Sequence, residues 1–250
     1  MNIVCLHSSQ SHGGQWRALK RMLGPRQDVL APDLIGYGKG PKLSEPATEF
    51  RLGHELEALA RQDFTRYEQV ALVGHSYGAA LALKWAREFP RQVAGLVLYE
   101  PVAFHVLPPT SEGRLEVEKV AAKMTELSVA EAAAAFVDYW NEPGYFARLP
   151  GSVQDLMIRQ QPKVAADFNA LLHEPVRALD YQDIACPVLL MHGERSPASS
   201  RAVADELAEN LPHVERASVA AGHMAPLNEP GKVNPLFQSG LERFGLLGQA

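Results

Sequence analysis

The sequence predicts an α/β fold, a mostly parallel six-stranded sheet flanked by helices, with an inserted helical cap. Three observations carry this. Short apolar runs at residues 2–7, 29–33, 69–73, 93–99, 187–192 and 214–219 are each followed by turn residues, as strands are. Helical spacing occupies the intervals between them, which joins successive strands in parallel through crossovers. The alternation lapses once, from Ala103 to Asp180, where helical patterns punctuated by Pro143-Gly144 and Pro162 replace any strand-like run.

In chain order, the run at 2–7 opens the sheet and the run at 29–33 leads into a glycine-rich turn. Leu52, Leu56 and Leu59 then share one helical face. After the run at 69–73, Gly78-Ala79-Ala80 opens a helix that stops at Pro90. Within the insertion, Val117, Val120, Ala121 and Met124 form an apolar face. Ser128 and Glu131 make a capping box ahead of Phe136, Tyr139 and Trp140, an aromatic stripe that packs the insertion on the core and lines part of a pocket. Ser196 before Pro197 reads as a helix N-cap followed by proline at the first helical position. Val233, Phe237 and Leu241 mark the last helix.

The 250 residues are 46% hydrophobic and 21% charged, enough to bury a sizeable core. Net charge is -5, without a basic run, which argues against a nucleic-acid partner. No apolar stretch reaches the roughly 20 residues that span a bilayer, and the start lacks a charged segment followed by a long apolar one, so no membrane partner and a cytoplasmic location are expected. Cys5 and Cys186 fall in apolar strand-like segments and read as small buried thiols. No metal-ligand spacing is present, and Gly36-x-Gly38-x-Gly40 misses the dinucleotide fingerprint, so no cofactor and no metal are implied.

Gly74-His75-Ser76-Tyr77-Gly78 lies between an apolar strand and the start of a helix. A tight turn there forces Ser76 into an unfavourable backbone geometry, and the flanking glycines remove Cβ atoms that would clash. The hydroxyl is pushed clear of the sheet as a candidate nucleophile. The helix start faces the developing oxyanion, with the Tyr77 amide as donor. A serine hydroxyl needs a base, and His223 in Ala220-Ala221-Gly222-His223-Met224 follows the last strand, at the same sheet edge. Among the other histidines, His75 is the variable position of the turn, His7 and His192 end strands, and the rest lack a matching context.

With these motifs the sequence resembles the α/β-hydrolase family over most of the chain outside the insertion. Leu6-His7-Ser8-Ser9 followed by Trp16 looks like the family's oxyanion loop, and Pro32-Asp33-Leu34-Ile35-Gly36-Tyr37-Gly38 like its next loop. The resemblance implies that the Ser9 amide is the second oxyanion donor, with Ser8 standing where the family commonly has glycine. It also implies a strand order 2-1-3-4-5-6, a core of residues 1–102 and 181–250, and a cap of residues 103–180. Relatives generally carry two further strands ahead of the first one here.

The family's acid commonly follows the penultimate strand, where Met191-His192-Gly193-Glu194-Arg195-Ser196 puts a serine at the expected carboxylate position. A hydroxyl cannot stabilise an imidazolium, so an acid is needed elsewhere. Some relatives place it after the preceding strand, which selects Glu100 in Tyr99-Glu100-Pro101, with Glu194 as the alternative. A structural glutamate at the cap entrance is the competing reading of Glu100.

The implied activity is hydrolysis of an ester or related acyl compound, a small-molecule substrate, through an acyl-enzyme. Ser76 argues against a dehalogenase or an epoxide hydrolase, which use an aspartate nucleophile. A perhydrolase, thioesterase or carbon-carbon bond hydrolase is an alternative chemistry. A non-catalytic small-molecule receptor or scaffold on the same fold is the alternative from another class, and an interaction subunit would expose a large apolar patch on the cap.

Overall fold

The computed structural model describes residues 1–62 and 67–248. Six strands, β1 (Asn2–Leu6), β2 (Asp28–Leu30), β3 (Val70–His75), β4 (Val93–Tyr99), β5 (Val188–Gly193) and β6 (Val214–Val219), form one sheet in the order β2-β1-β3-β4-β5-β6. Every pairing is parallel. The central strands read as continuous apolar runs because both faces of a parallel sheet are covered. Alternate residues divide between two cores: Val4, Leu6, Leu72, Leu98 and Leu190 lie in one, and Ile3, Cys5, Val73, Val97 and Met191 in the other.

The second core is closed by α1 (Arg17–Leu23) and by α9 (Pro230–Arg243), whose Val233, Phe237 and Leu241 are fully buried. The first is covered by α2 (Leu52–Arg61), α3 (Tyr77–Glu88) and α7 (Ala198–Asn210). Three long helices fall between β4 and β5: α4 (Glu112–Glu126), α5 (Val129–Trp140) and α6 (Gly151–Leu172). Their buried faces continue the first core through Val117, Phe136 and Phe168. The Ser128–Glu131 capping box is formed at the start of α5. A short helix α8 (Ala225–Asn228) follows β6. Among the described residues no helix is long and apolar enough to cross a membrane.

Apart from shifts of one or two residues at other strand ends, the structure departs from the sequence reading of these elements as follows. The second strand stops at Leu30 instead of Asp33. Pro32 has no N–H for a ladder, and Asp33 turns aside to accept hydrogen bonds from the Gly13 and Lys39 amides at 2.6 and 2.7 Å. Pro162 lies inside a continuous α6, where burial of Gln161, Lys163 and Val164 outweighs the missing N–H. Pro197 caps α7, which begins at Ala198, and the Ser196 hydroxyl is buried without a hydrogen-bond partner.

Candidate active site

The register of β3 on β4 pairs Gly74 with Leu98 and His75 with Tyr99, so the next residues out, Ser76 and Glu100, emerge side by side at the carboxyl edge of the sheet. Both leave their strands with positive φ, 55° at Ser76 and 47° at Glu100. At Ser76 the turn is imposed by close approach. A Cβ on Gly74 would lie 2.5 Å from the Ala79 Cα, and one on Gly78 would lie 2.2 Å from the Leu6 carbonyl oxygen. The glycines let α3 start directly against β1 and β3, which holds the serine in a conformation that L-residues avoid.

His223 arrives after β6 and completes a line of contacts. Its Nε2 is 2.9 Å from the Ser76 hydroxyl, and its Nδ1 is 2.5 Å from Glu100 Oε2. The other carboxylate oxygen of Glu100 accepts the Gly193 amide at 2.5 Å. All three side chains are buried, Glu100 completely. A carboxylate withdrawn from water this far is costly unless paired, and the ring N–H and the amide are its partners. In this arrangement Nδ1 carries the proton and Nε2 is free to accept one from serine. Glu194, by contrast, is exposed beyond β5 and makes no contact with His223.

Tyr77 opens α3, so its amide belongs to the first turn, whose N–H groups have no partner within the helix. Ser9 lies across from it in the loop after β1 and lines the same cavity as Ser76 and His223. The serine at position 8 fits without left-handed geometry; the strained residue of that loop is Gln10, with φ 55°.

Several further residues hold this arrangement, and of them the sequence reading places only Trp140 near a pocket. His75 lies under His223, its Nε2–H donating to the His223 carbonyl at 2.9 Å, while Nδ1 accepts from Gln15 at 3.1 Å. Gln15 Oε1 in turn accepts from the Ser8 amide at 3.3 Å and the Ser8 hydroxyl at 3.2 Å. This chain of donors requires a neutral His75, and burial holds its imidazole well below the usual value. Tyr99 donates to the Gly222 carbonyl at 2.8 Å and anchors the loop before His223. Trp140 of α5 stacks on the His223 ring. Apart from Trp140, which belongs to the aromatic stripe after the capping box, none of these has a local signature, since each acts through a contact with a distant segment.

The cavity at Ser76 has a volume of about 120 Å³. Phe136, Val137, Trp140, Leu149, Met157 and Leu227 supply its apolar wall, and no Asp, Glu, Lys or Arg lines it. Beyond Trp140 and His223 lies a wider cleft of about 620 Å³, bordered by Glu116, Asp138, Glu142 and Glu229 against Arg195. Among the described residues no group of three or more His, Cys, Asp or Glu side chains converges as a metal site. Cys5 is buried in β1, which pushes its thiol up, whereas Cys186, read from the sequence as a buried strand thiol, is only half-buried ahead of β5, and its partial desolvation pushes it up to about 11. Neither thiol touches the site.

A family model described as the alpha/beta hydrolase family matches residues 3–236. Lipase LipV of Mycobacterium tuberculosis is 35% identical over 133 residues, 53% of this chain and 48% of the lipase. A haloalkane dehalogenase of Agrobacterium fabrum is 37% identical over 101 residues, 40% of this chain and 32% of the dehalogenase. The chain thus spans about half or less of these two curated relatives. A pimeloyl acyl-carrier-protein methyl ester esterase of Methylococcus capsulatus is 29% identical over 212 residues, 82% of this chain and 80% of the esterase. Among solved structures, the enol-lactonase from Burkholderia xenovorans superposes with a TM-score of 0.77 at 18% identity, covering 96% of this chain and 90% of the lactonase.

Proposed function

The chain belongs to the alpha/beta hydrolase family, and on that premise we propose that it is a serine hydrolase of small, uncharged ester or related acyl compounds, working through an acyl-enzyme. The observation that carries this is the unbroken contact line Ser76–His223–Glu100 beside a mainly apolar cavity.

Ser76 Oγ attacks the carbonyl carbon as its proton passes to His223 Nε2. The carbonyl π pair moves onto oxygen, where the Tyr77 and Ser9 amides receive it. Glu100 accepts the Nδ1–H throughout and stabilises the imidazolium without taking the proton. Collapse of the tetrahedral species breaks the bond to the leaving group, which takes the Nε2 proton and leaves Ser76 acylated. Water then gives a proton to His223, attacks the acyl carbon, and releases the acid as Oγ recovers its proton.

The cavity sets the acyl group. A cavity of about 150 Å³ holds one benzene, so the space here suits an acyl chain of about four to six carbons. Its wall offers no cation to a substrate carboxylate. The leaving group, protonated by His223, faces the outer cleft, whose excess of carboxylates favours a neutral alcohol over an anionic one. Residues 103–180 act as the cap that separates the two spaces, chiefly through Trp140.

The test is a series of chromogenic esters of increasing acyl length together with a fluorophosphonate label. Turnover peaking at short acyl chains, and both turnover and label lost in Ser76→Ala, is the expected result. A folded protein silent in both assays would be a receptor and not an enzyme.

A further inference from the structure

A second polar cluster lies entirely inside the protein, next to the loop after β1. Lys163 of α6 pairs with Asp167 of the same helix and, at 2.9 Å, with Glu55 of α2; all three side chains are at most 3% exposed. The ammonium also lies within 4.5 to 4.9 Å of the ring centres of Tyr37, Phe50 and Tyr77. The contacts that leave this cluster are informative. Asp167 Oδ2 accepts the Ser9 hydroxyl at 2.6 Å and the Tyr37 hydroxyl at 2.6 Å. Glu55 Oε1 accepts the Tyr77 hydroxyl at 3.1 Å, and Oε2 accepts the Ile35 amide at 3.0 Å. The side chains of Ser9 and Tyr77 therefore end on the two carboxylates that one ammonium bridges.

Buried ion clusters of this kind are weak sources of stability, since desolvation offsets most of their attraction. They do impose geometry. Tyr77 is already fixed by its helix, but Ser9 belongs to a loop whose turn is closed by one long backbone bond, from the Ser11 amide to the Ser8 carbonyl at 3.3 Å, so a tether at Oγ fixes χ1 and steadies the peptide plane that carries its N–H. Resting on the serine-hydrolase reading above, we propose that Asp167, held by Lys163 and Glu55, is a positioning residue that aims the Ser9 amide at the reacting oxygen. The oxyanion site is thereby coupled to α6: the insertion contributes to transition-state stabilisation as well as to the pocket wall.

Loss of a single oxyanion donor costs about 10²- to 10³-fold in kcat, and misplacement by about 1 Å costs up to about 10²-fold. Ser9→Ala and Asp167→Asn are each expected to lower kcat about 10- to 100-fold with KM within about twofold, while the affinity of a trifluoromethyl ketone falls in proportion to kcat/KM. The double variant should lose no more than either single one, because both cut the same tether. Ser9→Thr, which keeps the hydroxyl, should lose less than Ser9→Ala. Unchanged kcat, additive losses, or a drop in melting temperature with intact turnover overturns the proposal. Ser9→Ala keeps the test decisive should Asp167→Asn fail to fold. Wild-type protein that neither turns over esters nor takes the phosphonate label overturns the hydrolase reading itself, a result distinct from an active enzyme with indifferent variants.

Discussion

The indole of Trp140 stacks on the imidazole of His223 with ring centres 3.9 Å apart and planes inclined by 29°. Trp140 is itself held by Phe104, Phe136 and Tyr139, so α5 reaches over the sheet edge and closes one face of the His223 ring. Both rings border the inner cavity and the outer cleft, which makes the stack the partition between them.

Shrinking that partition should exchange selectivity for room. Trp140→Leu is expected to lower kcat/KM on short acyl esters by about tenfold, through a less constrained imidazole, and to raise it on long ones as the two spaces merge. A chain-length profile decides the matter: an optimum that stays in place shows that the indole is not the wall.

For the proposed acid, two glutamates compete in the sequence and only Glu100 reaches His223. Glu100→Gln preserves the shape but lets the amide donate to Nδ1, which favours the wrong tautomer, and a loss of about 10⁴-fold in kcat has followed the analogous change in a serine protease. Here about 10²- to 10⁴-fold is expected, with Glu194→Gln near wild type. Near-normal turnover of Glu100→Gln would remove the residue from the mechanism.

The contrast between these glutamates also shows which parts of the molecule are legible in its sequence. The strands themselves and the turn at Ser76 rest on local patterns, apolar runs of strand length and glycines spaced to admit a close crossing, whereas the order of the strands in the sheet follows from the family resemblance. Glu100 is reachable because it ends a strand and because Ser196 leaves the expected acid position without a carboxylate. His75 looks like the free position of its turn, since its bonds go to Gln15 and His223, 60 and 148 residues away. Lys163 follows a proline that reads as a helix break, and its importance depends on Glu55, 108 residues earlier. Packing between such distant segments leaves no periodicity to read. It also explains why Pro162 stays helical.

Two buried histidines predict how stability responds to acid. Burial lowers the imidazole of His7 to about 4, and that of His75 well below the usual 6.5. The folded protein therefore resists protonation at both, whereas the unfolded chain takes up protons below about 6.5. Their contribution is complete above that value and is lost as pH falls toward the folded-state values. The slope is about 1.4 kcal/mol per pH unit for each group within the window. Urea unfolding at neutral pH and at about pH 5 should show this loss, and His7→Gln should flatten it. An equal slope in the variant excludes His7 as a source.

The backbone at Ser76 makes a prediction about order rather than size. At φ 55° and ψ -119° the residue occupies a region that costs an L-amino acid about 1–3 kcal/mol. Ser76→Ala and Ser76→Gly both remove the hydroxyl and its contact with His223, so both should be inactive, and that loss cancels when they are compared. Elsewhere glycine is less stable than alanine by about 0.5–1 kcal/mol, because it loses more chain entropy on folding. At this position relief of strain is the larger effect, and Ser76→Gly should melt above Ser76→Ala by the equivalent of about 1 kcal/mol. Gly74→Ala, whose new Cβ would meet the Ala79 backbone, should destabilise instead. If the alanine variant at 76 proves the more stable, the turn is not strained, and presentation of the hydroxyl needs another cause.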